Sequence, residues 1–381
     1  MQIGIQKRML VQAPKGLLLA TLGVSGLGLY NLMSAARNMW TAQAVYLGVG
    51  LTVLVAVTLL DMRFIQSATV PVYVLNIALL LALKFVGTKA KGAESWLVLG
   101  PFRVQPAEFM KIGMVLMMAK YFQEDHRPSL ASYGFMRIIP PLVLAAVPTV
   151  LVLVQPDLGT ALMMTFTALT VVAFARVKWT VVAAFGGCVL LAAVVIWYDF
   201  VRAAPEGQER STLIRHHLKR HQEGRITGWL DPQSDLKGTN YHSMQSKIAV
   251  GSGGFSGKGW KEGTQTALRY LPEQHTDFIF SVWAEEHGFL ACLLLLFIYG
   301  IILLGALDVA YNARDRIGAF VAVGIAAMVF WQVFENIGMV TGLLPVTGIT
   351  LPLMSYGGSS VVSVMLGFGL LVNISMRRHM F

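Results

Sequence analysis

The stretch Gly288-Phe289-Leu290-Ala291-Cys292-Leu293-Leu294-Leu295-Leu296-Phe297-Ile298-Tyr299-Gly300-Ile301-Ile302-Leu303-Leu304-Gly305-Ala306-Leu307 contains no charged residue. An apolar run of this length, about 18 residues or more, reads as a membrane-spanning helix rather than a buried helix of a soluble domain. Further runs of the same kind recur along the chain. They place candidate spans at about 16–33, 43–60, 68–86, 106–122, 136–154, 158–175, 180–198, 278–305, 317–342 and 360–376. Composition agrees: of 381 residues, 55% are hydrophobic and only 13% are charged, and the mean hydropathy is +0.62. A soluble globular chain carries about twice that charged share. The expected fold is an all-α polytopic membrane protein of about ten transmembrane helices, a single membrane domain over 1–381.

The net charge of +10 fits loops facing anionic lipid and the positive-inside rule. A soluble or nucleic-acid-binding role is excluded by the spans. Lys7, Arg8 and Lys15 precede the first span. Arg63, Arg127, Arg176 with Lys178, Arg314 with Arg316, and Arg377 with Arg378 fall in alternate loops. That set is expected to face the cytoplasm, with both termini inside, although Lys89, Lys91 and Arg103 break the pattern. No small-residue cleavage site follows the first apolar run, so it reads as a span and not as a signal peptide. Cys188 and Cys292 lie in apolar runs and read as packed thiols. Met114, Met117 and Met118 read as helix packing.

One connection is long. Residues 199–277 form a large extracytoplasmic loop on this topology, and long loops translocate largely regardless of charge. Such a loop between packed helices is functional or disordered. Its first part, Pro205 to Arg225, is charged and expected to be mobile. Its second part, Asp231 to Asp277, mixes glycine and aromatics and is expected to be ordered.

Ionisable residues inside or beside spans are the candidate functional residues, because lipid penalises them. Glu108 and Lys111 stand at i, i+3 on one helix face. They form either a structural ion pair or the polar lining of a substrate cavity. Asp157, in Gln155-Pro156-Asp157-Leu158-Gly159-Thr160, either caps the next helix or orients a substrate. His275, Thr276 and Asp277 form a polar cluster at the water–lipid boundary, where Asp277 or Thr276 could cap a helix. Glu285, about two turns further on, extends an acidic stripe inward. The tract Gly251-Ser252-Gly253-Gly254-Phe255-Ser256-Gly257-Lys258-Gly259-Trp260 could cradle phosphate through exposed N–H groups. It lacks the ending of a P-loop, and the alternative is a turn-rich loop packing on the membrane surface through Phe255 and Trp260.

Several motifs together resemble the SEDS family. They are Gln105-Pro106-Ala107-Glu108, Gln155-Pro156-Asp157, Tyr241 to Ala249, Gly257-Lys258-Gly259-Trp260, Gly263-Thr264-Gln265, Leu271 to Phe280, Ala284-Glu285-Glu286, Asn336-Ile337-Gly338-Met339 and Leu351 to Ser359. The likeness runs from about the third span to the C-terminus, in order. Ser246-Lys247-Ile248-Ala249 and Gly257-Lys258-Gly259-Trp260 are more similar to the family's elongation branch than to its division branch. One departure is Ser95, in Gly92-Ala93-Glu94-Ser95-Trp96, where the family often carries Arg.

The resemblance implies a peptidoglycan glycosyltransferase that polymerises lipid II at the outer face of the bacterial inner membrane. It implies a class B penicillin-binding protein and the elongation machinery as partners. It assigns Asp277 to the family's essential acid, Glu108 and Lys111 to its intramembrane pair, and Asp157 to another motif carboxylate. On that reading Asp277 is the base for the acceptor hydroxyl. Lys247, Lys258, Arg225 or a divalent cation (Mg or Mn) would neutralise the leaving pyrophosphate. No His/Cys or dense carboxylate cluster declares a metal site, so a cation would be bridged by the pyrophosphate. A lipid flippase or transporter, and a silent scaffold for a crosslinking enzyme, are the competing expectations.

Overall fold

The computed structural model describes residues 12–86, 88–90, 93–99, 102–124, 133–200, 225, 228–230, 241–268, 270–271 and 273–378. The Pro205–Gly224 part of the loop expected to be mobile, residues 231–240 of the part expected to be ordered, and the side chains of Ser95 and Cys188 lie outside them.

The chain is built from helices: α1 Lys15–Ala35, α2 Trp40–Leu59, α3 Met62–Val86, α4 Pro106–Glu124, α5 Phe135–Val154, α6 Leu158–Phe174, α7 Trp179–Phe200, α8 Tyr241–Ser252, α9 Thr264–Ala267, α10 Ile279–Tyr311, α11 Arg316–Thr341 and α12 Gly358–Met376. Each apolar run read from the sequence coincides with one of them. Among the described residues, seven are long and apolar enough to cross a membrane: α1, α2, α3, α5, α10, α11 and α12. Helix α6 is apolar but shorter. Helix α4 carries Glu108, Lys111 and Lys120.

The arrangement is radial. Of the apolar stretches of α11 and α12, 78% and 83% are buried, against 22% for α2, so α11 and α12 form the centre and α2 faces outward. Helix α12 packs on α2, α11 on α4, α6 and α10, and α1 on α10. Close approach uses small residues, as expected where lipid gives no hydrophobic drive between helices. A side chain at Gly369 would meet the backbone of Leu54, and one at Gly28 the backbone of Leu353 and Met354. Cys292 is a free, buried thiol.

Two features depart from the all-helical reading. A three-stranded antiparallel sheet, β1 Thr88–Ala90, β2 Ala93–Leu99 and β3 Phe102–Val104, leads from α3 to α4. Second, α10 is not one straight span. Its 33 residues would extend about 50 Å, well beyond a hydrocarbon core of about 30 Å. Gly288, at φ 74 and ψ −173, breaks it. The segment 279–286 before the break is buried throughout. Membrane-length helix follows it.

Candidate functional site

The Gly-rich tract repairs that break. The Lys258 and Gly259 N–H groups donate to Glu285 O and Glu286 O at 3.0 Å each, and Phe289 N–H donates to Gly254 O at 2.9 Å. Glycine is required on both sides. A side chain at Gly253, Gly257 or Gly288 would run into the opposing backbone. Gly257 N–H donates to Gly253 O. The Gly257, Lys258 and Gly259 N–H groups of the tract are therefore engaged within the protein. Trp260 stacks on Tyr30 of α1, with ring centroids 5.1 Å apart.

Glu285 belongs to this clasp. Its side chain is fully buried and lies 2.7 Å from the Lys258 ammonium. It also accepts from Gln265 N–H at 3.0 Å and Thr264 Oγ1 at 3.1 Å. It thus faces the segment 258–266 and does not continue a stripe from Asp277. Lys258 is tied to the same carboxylate.

Asp277 lies where three distant motifs meet. The chain entering α10 presents three successive carbonyls, and each is held. Tyr356 N–H donates to His275 O at 2.9 Å. Ser355 Oγ donates to Thr276 O at 2.6 Å. Asn336 Nδ2 donates to Asp277 O at 2.9 Å. The N-cap of α10 is Phe278, not Asp277 or Thr276. The Asp277 side chain is half-buried. Its Oδ2 stands beside Gly348, 3.4 Å from where a β-carbon on that glycine would be.

The turn containing Gly348 carries other candidates. Arg225 Nη1 donates to Thr347 O at 3.2 Å. A small cleft beside it is lined by Arg225, Trp229, Ser243 and Pro345. Helix α8 is seated by Ser246, whose Oγ donates to Val340 O at 2.7 Å, and this leaves Lys247 exposed on the helix. The Lys247 stem passes over Gly342, where any side chain would collide with it. His275 lies against Tyr356, with rings 6.0 Å apart, and Tyr356 against Tyr46 at 6.2 Å. On α8, burial pushes the His242 imidazole below its usual range.

A second polar group lies inside the bundle. Lys111 Nζ is 2.8 Å from Glu108 Oε2, both buried, and Ser363 Oγ of α12 donates to the same oxygen at 3.0 Å. Asp157 caps α6, accepting from Thr160 N–H at 3.1 Å and Thr160 Oγ1 at 2.9 Å, and from Gln105 Nε2 at 3.1 Å. Burial raises its carboxyl above the usual range, against the Thr160 hydrogen bonds, which lower it. Its electrostatic neighbours include Glu108 and Lys111. Gly159 packs against Thr347 and Ile349, so this group meets the turn that faces Asp277.

Reading the sequence did not single out Glu335 or Asn336 as separate residues. Glu335 is buried in α11, with Lys111 and Asp157 as electrostatic neighbours. Its signal was available, an acid in the middle of the span 317–342. Among the described residues no group of three His, Cys, Asp or Glu could hold a metal ion.

A family profile for cell cycle proteins of the FtsW, RodA and SpoVE type matches residues 15–380. The chain belongs to this family. As a SEDS protein, with its apolar helices, it is an integral membrane protein. Among similar sequences is the peptidoglycan glycosyltransferase MrdB of Escherichia coli K12, 38% identical over 368 residues, spanning 96% of this chain and 93% of the relative. Among solved structures, a chain from work on coordination of polymerization and crosslinking by a peptidoglycan synthase complex matches with a TM-score of 0.78. It is 31% identical, with coverage of 96% and 98%. The Thermus thermophilus rod shape determining protein RodA matches with a TM-score of 0.68 and 28% identity, covering 96% and 97%.

Proposed function

We propose that this SEDS protein is a peptidoglycan glycosyltransferase that polymerises lipid II during cell elongation, with Asp277 as its general base. The observation that carries the reading is the fixed position of Asp277. Its own carbonyl and the two before it are pinned by residues of two other motifs, in a chain 38% identical to a protein named for this activity. The transport and scaffold readings have no comparable support.

The step transfers a glycan from one lipid carrier to a second lipid-linked disaccharide. The acceptor 4-hydroxyl oxygen attacks the anomeric carbon of the donor, and its proton passes to the Asp277 carboxylate. The bond from that carbon to the diphosphate oxygen breaks, and undecaprenyl diphosphate leaves with the electron pair. General-base assistance of this kind contributes about 10² to 10⁴ in rate. Charge building on the diphosphate needs cations already in place. Arg225 and Lys247 are the candidates, because Arg225 binds the Gly348 turn and Lys247 is exposed on α8. Lys258 is not, since Glu285 holds it. A divalent cation, Mg or Mn, enters with the diphosphate, not in a cage of this chain's residues. The segment 199–277 faces the extracytoplasmic side of the bacterial inner membrane, both termini are cytoplasmic, and a class B penicillin-binding protein of the elongation machinery crosslinks the product.

The test is lipid II polymerisation by the purified protein with its cognate penicillin-binding protein, comparing wild type with Asp277→Ala. Glycan strands from the wild type and none from a folded mutant support the reading. Undiminished strands from the mutant overturn the role of Asp277, and no strands from the wild type overturn the enzyme.

A further inference from the structure

We infer that Asn336 is a positioning residue for Asp277, acting through the backbone; this rests on Asp277 being the base. The Asn336 side chain is completely buried in α11. Its Nδ2 donates to two carbonyls at once, Asp277 O at 2.9 Å and Ile349 O at 2.6 Å. The amide has one workable orientation. Turned over, its Oδ1 would face both carbonyl oxygens, acceptor against acceptor. In the orientation it takes, Oδ1 is buried without a hydrogen-bond partner. Satisfying its own polarity would use both ends of the amide. This one leaves its acceptor unsatisfied and joins two backbone segments through its donor.

Those segments are the two sides of the candidate site. One carries Asp277 into α10. The other is the turn Thr347-Gly348-Ile349, whose glycine lies against the Asp277 carboxylate and whose Thr347 carbonyl holds Arg225. The pins on His275 O and Thr276 O come from 355 and 356, on the other loop. Asn336 therefore sets the spacing between the carboxylate and the turn opposite it, and so the place where the acceptor hydroxyl must sit. Misplacement of a reacting group by about 1 Å is worth up to about 10² in rate.

The experiment measures lipid II polymerisation by the full chain with its penicillin-binding partner for Asn336→Ala, Asn336→Ser and Asn336→Asp, with thermal unfolding of each. A positioning role predicts kcat down about 10²-fold in Asn336→Ala, with KM for lipid II nearly unchanged. Asn336→Ser keeps one donor and is expected to recover part of the loss. Asn336→Asp keeps the shape and removes the donor, and is expected to match Asn336→Ala. Should Asn336→Ala fail to fold, the Ser and Asp pair carries the same comparison. Wild-type kcat in Asn336→Ala, a loss confined to KM, or equal activity of the Ser and Asp variants overturns the proposal. Failure of the underlying reading is distinct: turnover by Asp277→Ala removes Asp277 as base, and this role of Asn336 with it.

Discussion

The Lys258 ammonium lies 2.7 Å from Glu285 Oε1, and the Glu285 side chain is fully buried. The pair closes the Gly-rich clasp over the break at Gly288, which joins the loop to the membrane part of α10. Removing only the cation strands a buried carboxylate, a change worth about 3 kcal/mol when a pair is fully buried. Lys258 is partly exposed, so the loss is expected below that, at about 2 kcal/mol. Lys258→Met should lower the thermal midpoint in detergent, and Lys258→Met with Glu285→Gln should recover part of it. An unchanged midpoint in Lys258→Met would show that the backbone donors alone hold Glu285.

Glu335 offers the opposite case. It is buried, and neither carboxylate oxygen has a hydrogen-bond partner. Its neighbour Lys111 is already paired with Glu108 at 2.8 Å. Buried carboxyl oxygens without hydrogen bonds are costly, and the isosteric amide removes the group that could ionise there. Glu335→Gln is expected to hold or raise the thermal midpoint, by about 1 kcal/mol of stability, and to leave strand synthesis intact. Lys111→Met is expected to lower the midpoint, because it leaves Glu108 and Glu335 together without a cation. A clear loss of stability in Glu335→Gln would contradict this account.

The contrast between these two acids shows what the sequence carries. Long uncharged runs such as 288–307 disclose spans directly, because length and hydropathy are properties of a single segment. Asp157 was legible as a cap, since its partner Thr160 is three residues away. The role of Glu285 was not, because its partners depend on how a loop folds back across a kink. The kink itself depends on the φ of Gly288, one glycine among 37. The meeting of 275–277, 336, 348 and 355–356 is tertiary, and spacing along the chain does not encode it. The resemblance named those motifs without saying that they touch.

Gly348 tests the geometry at the carboxylate. It adopts φ +82, and a β-carbon there would sit 3.4 Å from Asp277 Oδ2. A left-handed conformation costs a non-glycine residue about 1–2 kcal/mol. Gly348→Ala should therefore lose stability of that order. It should also lose more turnover than the stability change explains, because the methyl enters the space beside the base. Wild-type turnover in a folded Gly348→Ala would mean that the acceptor reaches Asp277 from another side.

Cation dependence separates a resident metal from one carried by substrate. No three metal-binding side chains converge among the described residues, and a cation that arrives with the diphosphate leaves the folded protein no cage to lose. Chelation with EDTA is expected to stop strand synthesis and to leave the thermal midpoint where it was. Added Mg or Mn should restore synthesis, with an apparent affinity that tightens as lipid II is raised, since metal and diphosphate bind as a unit. A midpoint that falls on chelation in the absence of substrate would place the cation in the protein. Synthesis that continues in EDTA would leave charge neutralisation to the chain's own cations. Arg225→Ala and Lys247→Ala would then be the variants in which turnover fails.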